Sequence, residues 1–435
     1  MRLDIFHKPA WIVLAAVLAA SSVWLFAERM VRYQIADEIV HGRPRGNLSD
    51  LYPRWLGARE LMRQGRDPYS SAVTRDIQRG FYGRTLDPAN PADPKDQEGF
   101  AYPLYVVFVL APTIGFSFAI VQRVAFWVLL ALTIATVPLW LRALGWRPPL
   151  WASASMVILT VGSLPVMQGL KLQQMTLLVI ALVAAAMALL VSDRPMIAGV
   201  LLALATIKPQ LVWLLLLWLL IWTVGEWRRR YQWLRAFLVT MALLLAASEW
   251  YMPVWIPHFF RALKEYRNYT DASSMLDKMV PAPWGWLLGL VTIAATLVVC
   301  WKNRRFGQQT QEFATTTALV LAVTVIVTIA SNYALYNQIL LLPAVLILAR
   351  ERHGIWNRNR VARLMLSLTS IFLLWPWTTN VVLALLSFVL PLNVVDRAWS
   401  VPFWTVLPLP MAVAGIVLVM SYQSAFTAPA KPGTS

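Results

Sequence analysis

Charged residues are scarce in this 435-residue chain, at 14%, whereas hydrophobic residues make up 59%. Soluble globular proteins have about 25% charged and about 45–50% apolar residues, so this chain lacks the polar side chains needed to cover a water-exposed surface. Its mean hydropathy is +0.59. Uninterrupted apolar runs of about 20 residues recur along it, which is the length that crosses about 30 Å of hydrocarbon as a helix. Because these runs are continuous rather than alternating, they predict helices and not strands.

Cysteine and histidine are also rare, with one cysteine, Cys300, and four histidines. A single cysteine excludes a disulfide framework within the chain and a multi-cysteine metal site. The histidines, at positions 7, 41, 258 and 353, are far apart and show no spacing typical of metal ligands. The sequence contains no phosphate-cradling glycine loop, no HExxH and no nucleophile elbow, which argues against ATP-driven work on this chain.

The apolar runs predict an all-α polytopic membrane protein with about 12 transmembrane helices. The first run is longer than the h-region of a signal peptide, so we expect a retained helix there. The predicted spans lie near residues 9–27, 101–118, 121–141, 149–167, 173–192, 195–224, 235–257, 284–301, 313–331, 333–349, 364–391 and 403–422. Lys208-Pro209 interrupts one of them, and Trp375-Pro376-Trp377 predicts either a kinked helix or two half-helices in another.

The whole chain, residues 1–435, is predicted to form a single integral membrane domain, in which residues 28–100 form one large polar loop. Basic residues in short loops face the cytoplasm, and the densest clusters, such as Arg228-Arg229-Arg230, fall on one side of the predicted spans. This pattern predicts a protein of the cell (inner) membrane with cytoplasmic termini and an extracytoplasmic first loop. The net charge of +17 therefore indicates topology, and no nucleic-acid partner is predicted.

The first outer loop contains a candidate catalytic carboxylate, Asp50. The apolar residues between positions 51 and 61 have helical spacing, which predicts a short amphipathic helix on the outer membrane surface. Asp50 stands at the start of this helix and permits two interpretations. It is a good N-cap residue, and it is also a carboxylate that could take a proton from an acceptor hydroxyl.

Lys208 lies far from either end of its apolar span. A lysine at such depth is energetically costly, so it usually faces a cavity, a partner or a polar headgroup. Its position is unfavourable for snorkelling to the membrane surface. An ammonium group there could bind a lipid phosphate as a point charge.

Polar residues also cluster at the start of two predicted spans, where Gln173 and Gln174 begin one and Tyr336, Asn337 and Gln338 begin the other. They are expected either to form interhelical hydrogen bonds, worth about 1 kcal/mol each, or to line a polar substrate path.

Taken in order, these segments resemble glycosyltransferase family 87, a polyprenyl-phosphate-mannose-dependent branch of the GT-C membrane glycosyltransferases. The matching segments are Asp50-Leu51-Tyr52, Ala58-Arg59-Glu60-Leu61, Gly65-Arg66-Asp67-Pro68-Tyr69, Phe100-Ala101-Tyr102-Pro103, Leu172-Gln173-Gln174, the stretch 198–209 that ends in Lys208-Pro209, and Tyr336-Asn337-Gln338. Many family members carry histidines at the last of these segments, where this chain has none.

The resemblance implies a GT-C-like helical bundle with short amphipathic helices and an acidic catalytic residue in the first outer loop, a role that falls on Asp50. It implies a polyprenyl-phosphate sugar donor, commonly of mannose, and a lipid or glycan acceptor of the cell envelope, with no metal or cofactor required. Asp50 would then act as the base and Lys208 would bind the departing phosphate. Arg54, Arg59 and Tyr102 are the further candidates for donor binding.

Two other functions remain open from the sequence. A transporter or flippase of lipid-linked sugars would explain the many spans and the buried Lys208, although transporters typically show paired broken helices in their two halves. A non-catalytic membrane scaffold would have little use for a buried lysine. The carboxylate-bearing outer loop favours the transferase, a hexosyltransferase of the GT-C type.

Overall fold

The computed structural model describes residues 10–32, 35–36, 49–87, 89–91, 93–270, 272–329 and 334–427. Every regular element in these ranges is helical, which confirms the predicted all-α class. Helix α1 spans Ala10–Leu25 and continues as a π-helical turn, Phe26–Val31.

The helices that follow differ widely in length, from five residues to 27. They are α2 (Leu51–Gln64), α3 (Ser71–Tyr82), α4 (Val106–Leu110), α5 (Phe118–Ala143), α6 (Leu150–Val161), α7 (Leu164–Lys171), α8 (Met175–Val191), α9 (Pro195–Ala205), α10 (Pro209–Gly225), α11 (Trp227–Tyr251), α12 (Trp255–Thr270), α13 (Met275–Met279), α14 (Trp284–Asn303), α15 (Gln311–Val327), α16 (Leu342–Trp356), α17 (Arg360–Leu386), α18 (Leu392–Arg397) and α19 (Pro408–Thr427). Short 3-10 helices lie at Ala111–Thr113, Leu335–Leu341 and Val401–Phe403.

Six helical segments in the described ranges are long and apolar enough to cross a membrane. They are Ala10–Arg29, Phe118–Ala143, Trp227–Tyr251, Trp284–Asn303, Arg360–Leu386 and Val401–Ser421. Helices α6 and α7 add a seventh if they form one span, because together they pass the same test with a bend of 55° between them. Four further helices, α8, α9, α10 and α15, are apolar but have only 11 to 17 residues. The predicted count of 12 spans is therefore not confirmed, whereas a multi-pass membrane protein is.

Of three predicted spans, one is not observed as a span, one is interrupted where Lys208-Pro209 predicts it, and one is a single helix, which is one of its two predicted alternatives. The segment 101–118 contains only α4 and a 3-10 turn, too short to cross the bilayer as a helix. The segment 195–224 is two helices, because α9 ends at Ala205 and α10 begins at Pro209. The segment 364–391 is neither split nor ended at its proline, since α17 continues through Pro376.

The segment 51–82 folds into two helices with well-defined ends. Helix α2 ends at Gly65, whose left-handed φ of 65° suits glycine and whose N–H caps the last turn. Helix α3 begins at Ser70, whose hydroxyl accepts a hydrogen bond from the N–H of Val73. Arg66 joins α2 to α3 by pairing with Glu60 at 2.5 Å and with Asp76 at 2.7 Å. The helix predicted between positions 51 and 61 is thus confirmed, and its apolar residues are buried.

Close helix packing holds the core around the site. Helix α9 lies against α11 at Gly199, where a Cβ atom would collide with the backbone of Trp233. Glycine is needed at this position because the two backbones approach directly. Helix α10 contributes a fully buried face that includes Trp218, whose Nε1 donates to the hydroxyl of Thr317 at 3.1 Å.

Candidate active site

A cavity of about 620 Å³ opens where several helices end or are interrupted. Its walls come from the start of α2, the segment 96–103, the turn before α8, the break between α9 and α10, helix α12, and the residues around 334–337. Seven of the residues predicted from the sequence line it, namely Asp50, Arg54, Tyr102, Gln174, Lys208, Tyr336 and Asn337. Positions more than 280 residues apart in the chain are therefore brought to one site.

Asp50 occupies the N-cap position of α2 but does not cap the helix through its side chain. Its carboxylate instead accepts a hydrogen bond from Nε2 of Gln174, which lies just before α8. Arg54, one turn further along α2, donates from a guanidinium nitrogen to the backbone carbonyl of Asp50 at 2.7 Å. Of the two interpretations offered by the sequence, the side-chain cap is not observed, and the carboxylate faces the cavity.

Lys208 ends the break between α9 and α10 and its ammonium group is buried in the cavity wall. It donates to Oε1 of Gln174 at 2.6 Å and to the hydroxyl of Thr176 at 2.8 Å. Gln174 therefore connects Lys208 to Asp50 through the two ends of one amide group. We call this arrangement the Lys208–Gln174–Asp50 chain; it places a cation and a carboxylate on either side of a neutral bridge.

Aromatic rings surround the ammonium group of Lys208. Its Nζ lies 5.7 Å from the ring centroid of Tyr102 and 5.1 Å from that of Tyr336. The guanidinium carbon of Arg54 lies 4.7 Å from the Tyr102 ring. Cations within about 6 Å of an aromatic centroid are attracted by the ring quadrupole, so the rings help to hold two positive charges in one wall of the cavity. Such a wall suits an anionic group of a ligand.

An acidic wall formed by Asp96 and Glu98 also borders the cavity. Glu98 has a left-handed backbone with φ of 52°, an unfavourable conformation for a non-glycine residue, and its N–H donates to Oδ1 of Asp96 at 2.9 Å. Burial raises the pKa of Asp96 above its ordinary value. Burial, together with the nearby charges of Asp96 and Asp50, raises the pKa of Glu98 well above its ordinary value. The acidic wall therefore holds its negative charge at an energetic cost.

Helix α12 forms the remaining side of the cavity and is fixed to the turn between α2 and α3. His258 lies 2.8 Å from a carboxylate oxygen of Asp67, which joins α12 to the turn before α3. The ring of Phe259 packs against that of Tyr69, with centroids 6.3 Å apart. Lys264 and Arg267, on the next two turns, line the cavity and are exposed.

Three of the predicted site residues lie elsewhere. Arg59 stacks on the ring of Trp55 at 5.4 Å and does not line the cavity. Gln173, in a left-handed conformation with φ of 46°, donates to the carbonyl of Leu170 at 2.7 Å. Gln338 donates to the carbonyl of Val406 at 2.5 Å and lines a second, mostly apolar cavity of about 230 Å³.

The acidic wall was not predicted from the sequence. Asp96 and Glu98 lie in an irregular polar stretch directly before the Phe100-Ala101-Tyr102-Pro103 segment, and this proximity is the signal that could have indicated them. The residues of α12 carried no comparable motif. In the part of the chain that the structure describes, no group of three or more His, Cys, Asp or Glu side chains could hold a metal ion.

Comparison with known protein families gives a match. The family model described as glycosyltransferase family 87 matches residues 100–331, more than half of the chain, a stretch that contains Tyr102, Gln174 and Lys208. No curated protein and no solved structure matches the chain. With its apolar helices and this match, the chain belongs to glycosyltransferase family 87 and is a membrane glycosyltransferase.

Proposed function

We propose that this enzyme transfers a mannosyl group from a polyprenyl-phosphate-linked donor to a hydroxyl group of a lipid or glycan acceptor. The reaction takes place at the outer face of the cell membrane, with the first outer loop extracytoplasmic and both termini cytoplasmic. The observation that carries this proposal is the Lys208–Gln174–Asp50 chain in one large cavity. A transfer from a lipid phosphate needs a cation for the leaving group and a base for the acceptor. The Lys208–Gln174–Asp50 chain provides one of each.

The chemical step is a single displacement. The acceptor hydroxyl oxygen forms a bond to the anomeric carbon of the sugar while its proton passes to the carboxylate of Asp50. The bond between the anomeric carbon and the phosphate oxygen breaks, and the polyprenyl phosphate leaves with the electron pair. Lys208 and Arg54 stabilise the negative charge that the phosphate gains. One displacement of this kind inverts the anomeric configuration.

Gln174 also orients the carboxylate of Asp50 and the ammonium group of Lys208. Gln174 holds one carboxylate oxygen of Asp50, which leaves the second oxygen to receive the acceptor proton. The amide of Gln174 is itself held by Lys208 at 2.6 Å. A donor phosphate that binds the ammonium group of Lys208 therefore competes with Gln174, the residue that positions Asp50.

Asp50→Asn in purified protein tests the proposal, because asparagine keeps the shape of the side chain but cannot accept the proton. Radiolabelled polyprenyl-phosphate mannose and a membrane-lipid extract serve as donor and acceptor. Asp193→Asn is the matched control, since Asp193 is exposed in the turn before α9 and its left-handed φ of 56° suits asparagine. We expect transfer by the wild type and the control, and a loss of at least 100-fold in Asp50→Asn, in line with the size of general-base effects of about 10²–10⁴.

Two outcomes contradict the proposal at different levels. Full activity of Asp50→Asn removes Asp50 as the base while leaving the transferase in place. A folded wild type that transfers no label from mannosyl or other lipid-linked donors contradicts the donor class, and a flipping assay in liposomes then tests the transport of lipid-linked sugars.

A further inference from the structure

Helix α12 lies in the chain between two helices that are long and apolar enough to cross a membrane. Helix α11 ends at Tyr251, α12 begins at Trp255, and the next spanning helix, α14, begins at Trp284. Tryptophan and tyrosine side chains are enriched where a membrane meets water. Trp250, at the end of α11, is 87% exposed, and Trp284 is exposed as well. These aromatic residues mark the membrane surface, and α12 begins beside it.

One face of α12 carries large apolar side chains that the rest of the protein does not cover. Ile256, Phe260 and Leu263 follow one another at the three- and four-residue spacing of a single helix face, and all three are exposed. Trp255 and Phe259, on the neighbouring face, are buried and hold the helix against the protein. In α2 and α3, by contrast, no large apolar side chain is exposed. Helices with such a face beside a membrane lie in the plane of its surface.

The charged side chains of α12 are mostly basic. Arg261, Lys264 and Arg267 stand against a single acidic residue, Glu265, and all four are exposed. In the part of the protein that the structure describes, none of the three basic side chains forms a salt bridge. Basic side chains next to an apolar helix face are attracted to anionic lipids, because the lipid phosphates supply the missing negative charge. The charge of α12 therefore favours anionic over zwitterionic phospholipids.

The same part of α12 borders the opening of the active-site cavity. Phe260, Leu263, Lys264 and Arg267 are exposed and also line the cavity. A side chain with both properties lies at the rim, so α12 forms part of the cavity mouth. A phospholipid bound along α12 therefore lies directly beside the entrance to the site.

We infer that α12 is a membrane-surface helix that binds anionic phospholipids. Its apolar face lies against the acyl chains, while Arg261, Lys264 and Arg267 bind the headgroup phosphates. This binding goes beyond the proposed function, since its ligand is a phospholipid of the surrounding membrane and neither the sugar donor nor the acceptor. It holds the mouth of the cavity at the level of the lipid headgroups.

Photocrosslinking in nanodiscs tests the inference on this one helix. Photoreactive phosphatidylglycerol is titrated into phosphatidylcholine nanodiscs that contain the full-length protein and no sugar donor, and crosslinked peptides are quantified by mass spectrometry. Lys264→Gln/Arg267→Gln removes two charges from the rim. Arg63→Gln/Arg75→Gln is the matched control, because it removes two exposed charges from α2 and α3 that do not line the cavity. The peptide that contains Arg228-Arg229-Arg230, at the other end of α11, is the internal reference.

We expect phosphatidylglycerol to label α12 more strongly than photoreactive phosphatidylcholine does. Each basic side chain removed should weaken the apparent affinity about fivefold, and raised salt should weaken it further. The control variant and the reference peptide should be labelled as in the wild type.

Three results would overturn the inference. The first is equal labelling of α12 by the two lipids, or none while the reference peptide is labelled. The second is an equal loss in the control variant. The third is displacement of the label by polyprenyl phosphate, because the basic side chains would then bind the donor instead of a membrane phospholipid. No sugar transfer is measured, so these results are independent of the proposed function.

Discussion

The role of Lys208 gives the sharpest prediction, because a structural lysine and a catalytic lysine respond to substitution in opposite ways. In Lys208→Met an unbranched apolar side chain, one heavy atom shorter, replaces the lysine, and the ammonium group is lost. If Lys208 stabilises the departing phosphate, the variant loses a charged donor at the place where charge develops. Removal of one such donor typically lowers kcat by about 10²–10³-fold, and we expect kcat/KM for the donor to fall by that amount.

Folding stability should change little or increase in the same variant. Lys208 is only 6% exposed, and its partners Gln174 and Thr176 are neutral, so no ion pair compensates for the desolvation of its charge. After the substitution, Gln174 keeps its hydrogen bond to Asp50, and the Thr176 hydroxyl keeps its 3.4 Å contact with Asn337. The methionine side chain fills the space between the rings of Tyr102 and Tyr336.

The assay combines thermal unfolding in detergent with initial rates of sugar transfer from polyprenyl-phosphate mannose. Lys208→Arg is the informative companion variant, since it keeps the charge but replaces a compact ammonium by a larger planar group in a packed site. We expect Lys208→Arg to recover less than a tenth of the wild-type rate. Lys208→Met that unfolds many degrees earlier, or that keeps its rate within about threefold, would refute the reasoning, because the lysine would then be structural.

Three further predictions concern other parts of the structure. Gln174→Leu should lower kcat by about 10–100-fold, because the carboxylate of Asp50 loses the hydrogen bond that holds it, and rates at saturating donor measure this. Glu98→Gln should be more stable than the wild type near pH 7, and this difference should vanish below the ordinary pKa of 4.5. Folding raises the pKa of Glu98, so the wild type loses stability as the pH rises from the ordinary pKa towards the raised pKa of the folded state. Thermal unfolding measured across this pH range tests the prediction. Gly199→Ala should lower the unfolding temperature, since its Cβ meets the backbone of Trp233, and equal unfolding temperatures would contradict the close contact.

The sequence predicted the composition of the site better than the course of the helices around it. Lys208 could be recognised because a charged residue within an apolar span is energetically costly. Asp50 could be recognised because it stands at the start of a predicted amphipathic helix, in a segment that resembles the family. For Gln174 the sequence predicted only an interhelical hydrogen bond or a place along a substrate path. Its role as a bridge depends on a contact between residues 124 positions apart, which no local pattern encodes.

The predicted spans differed from the helices because hydropathy measures composition and not continuity. The segment 101–118 is apolar almost throughout, yet it contains only a five-residue helix and a 3-10 turn. In the segment 195–224 the proline signalled the break, and the structure confirms it. The acidic wall was missed for the reverse reason. Asp96 and Glu98 lie in a polar loop, where carboxylates are ordinary, and only the fold shows that this part of the loop returns to the cavity.

The helix breaks and the site depend on each other. Backbone groups freed by a break in an apolar environment need partners from the surrounding protein. The hydroxyl of Tyr105 donates to the carbonyl of Thr206 at 2.9 Å, and the side chain of Gln168 accepts from the N–H of Tyr336 at 3.2 Å. The same interruptions place Lys208 and Tyr336 at the cavity. A continuous helix through Lys208 would satisfy its own backbone groups, but nothing in it would direct the lysine towards Gln174. The polar partners of the helix breaks are therefore as necessary to the site as the charged residues.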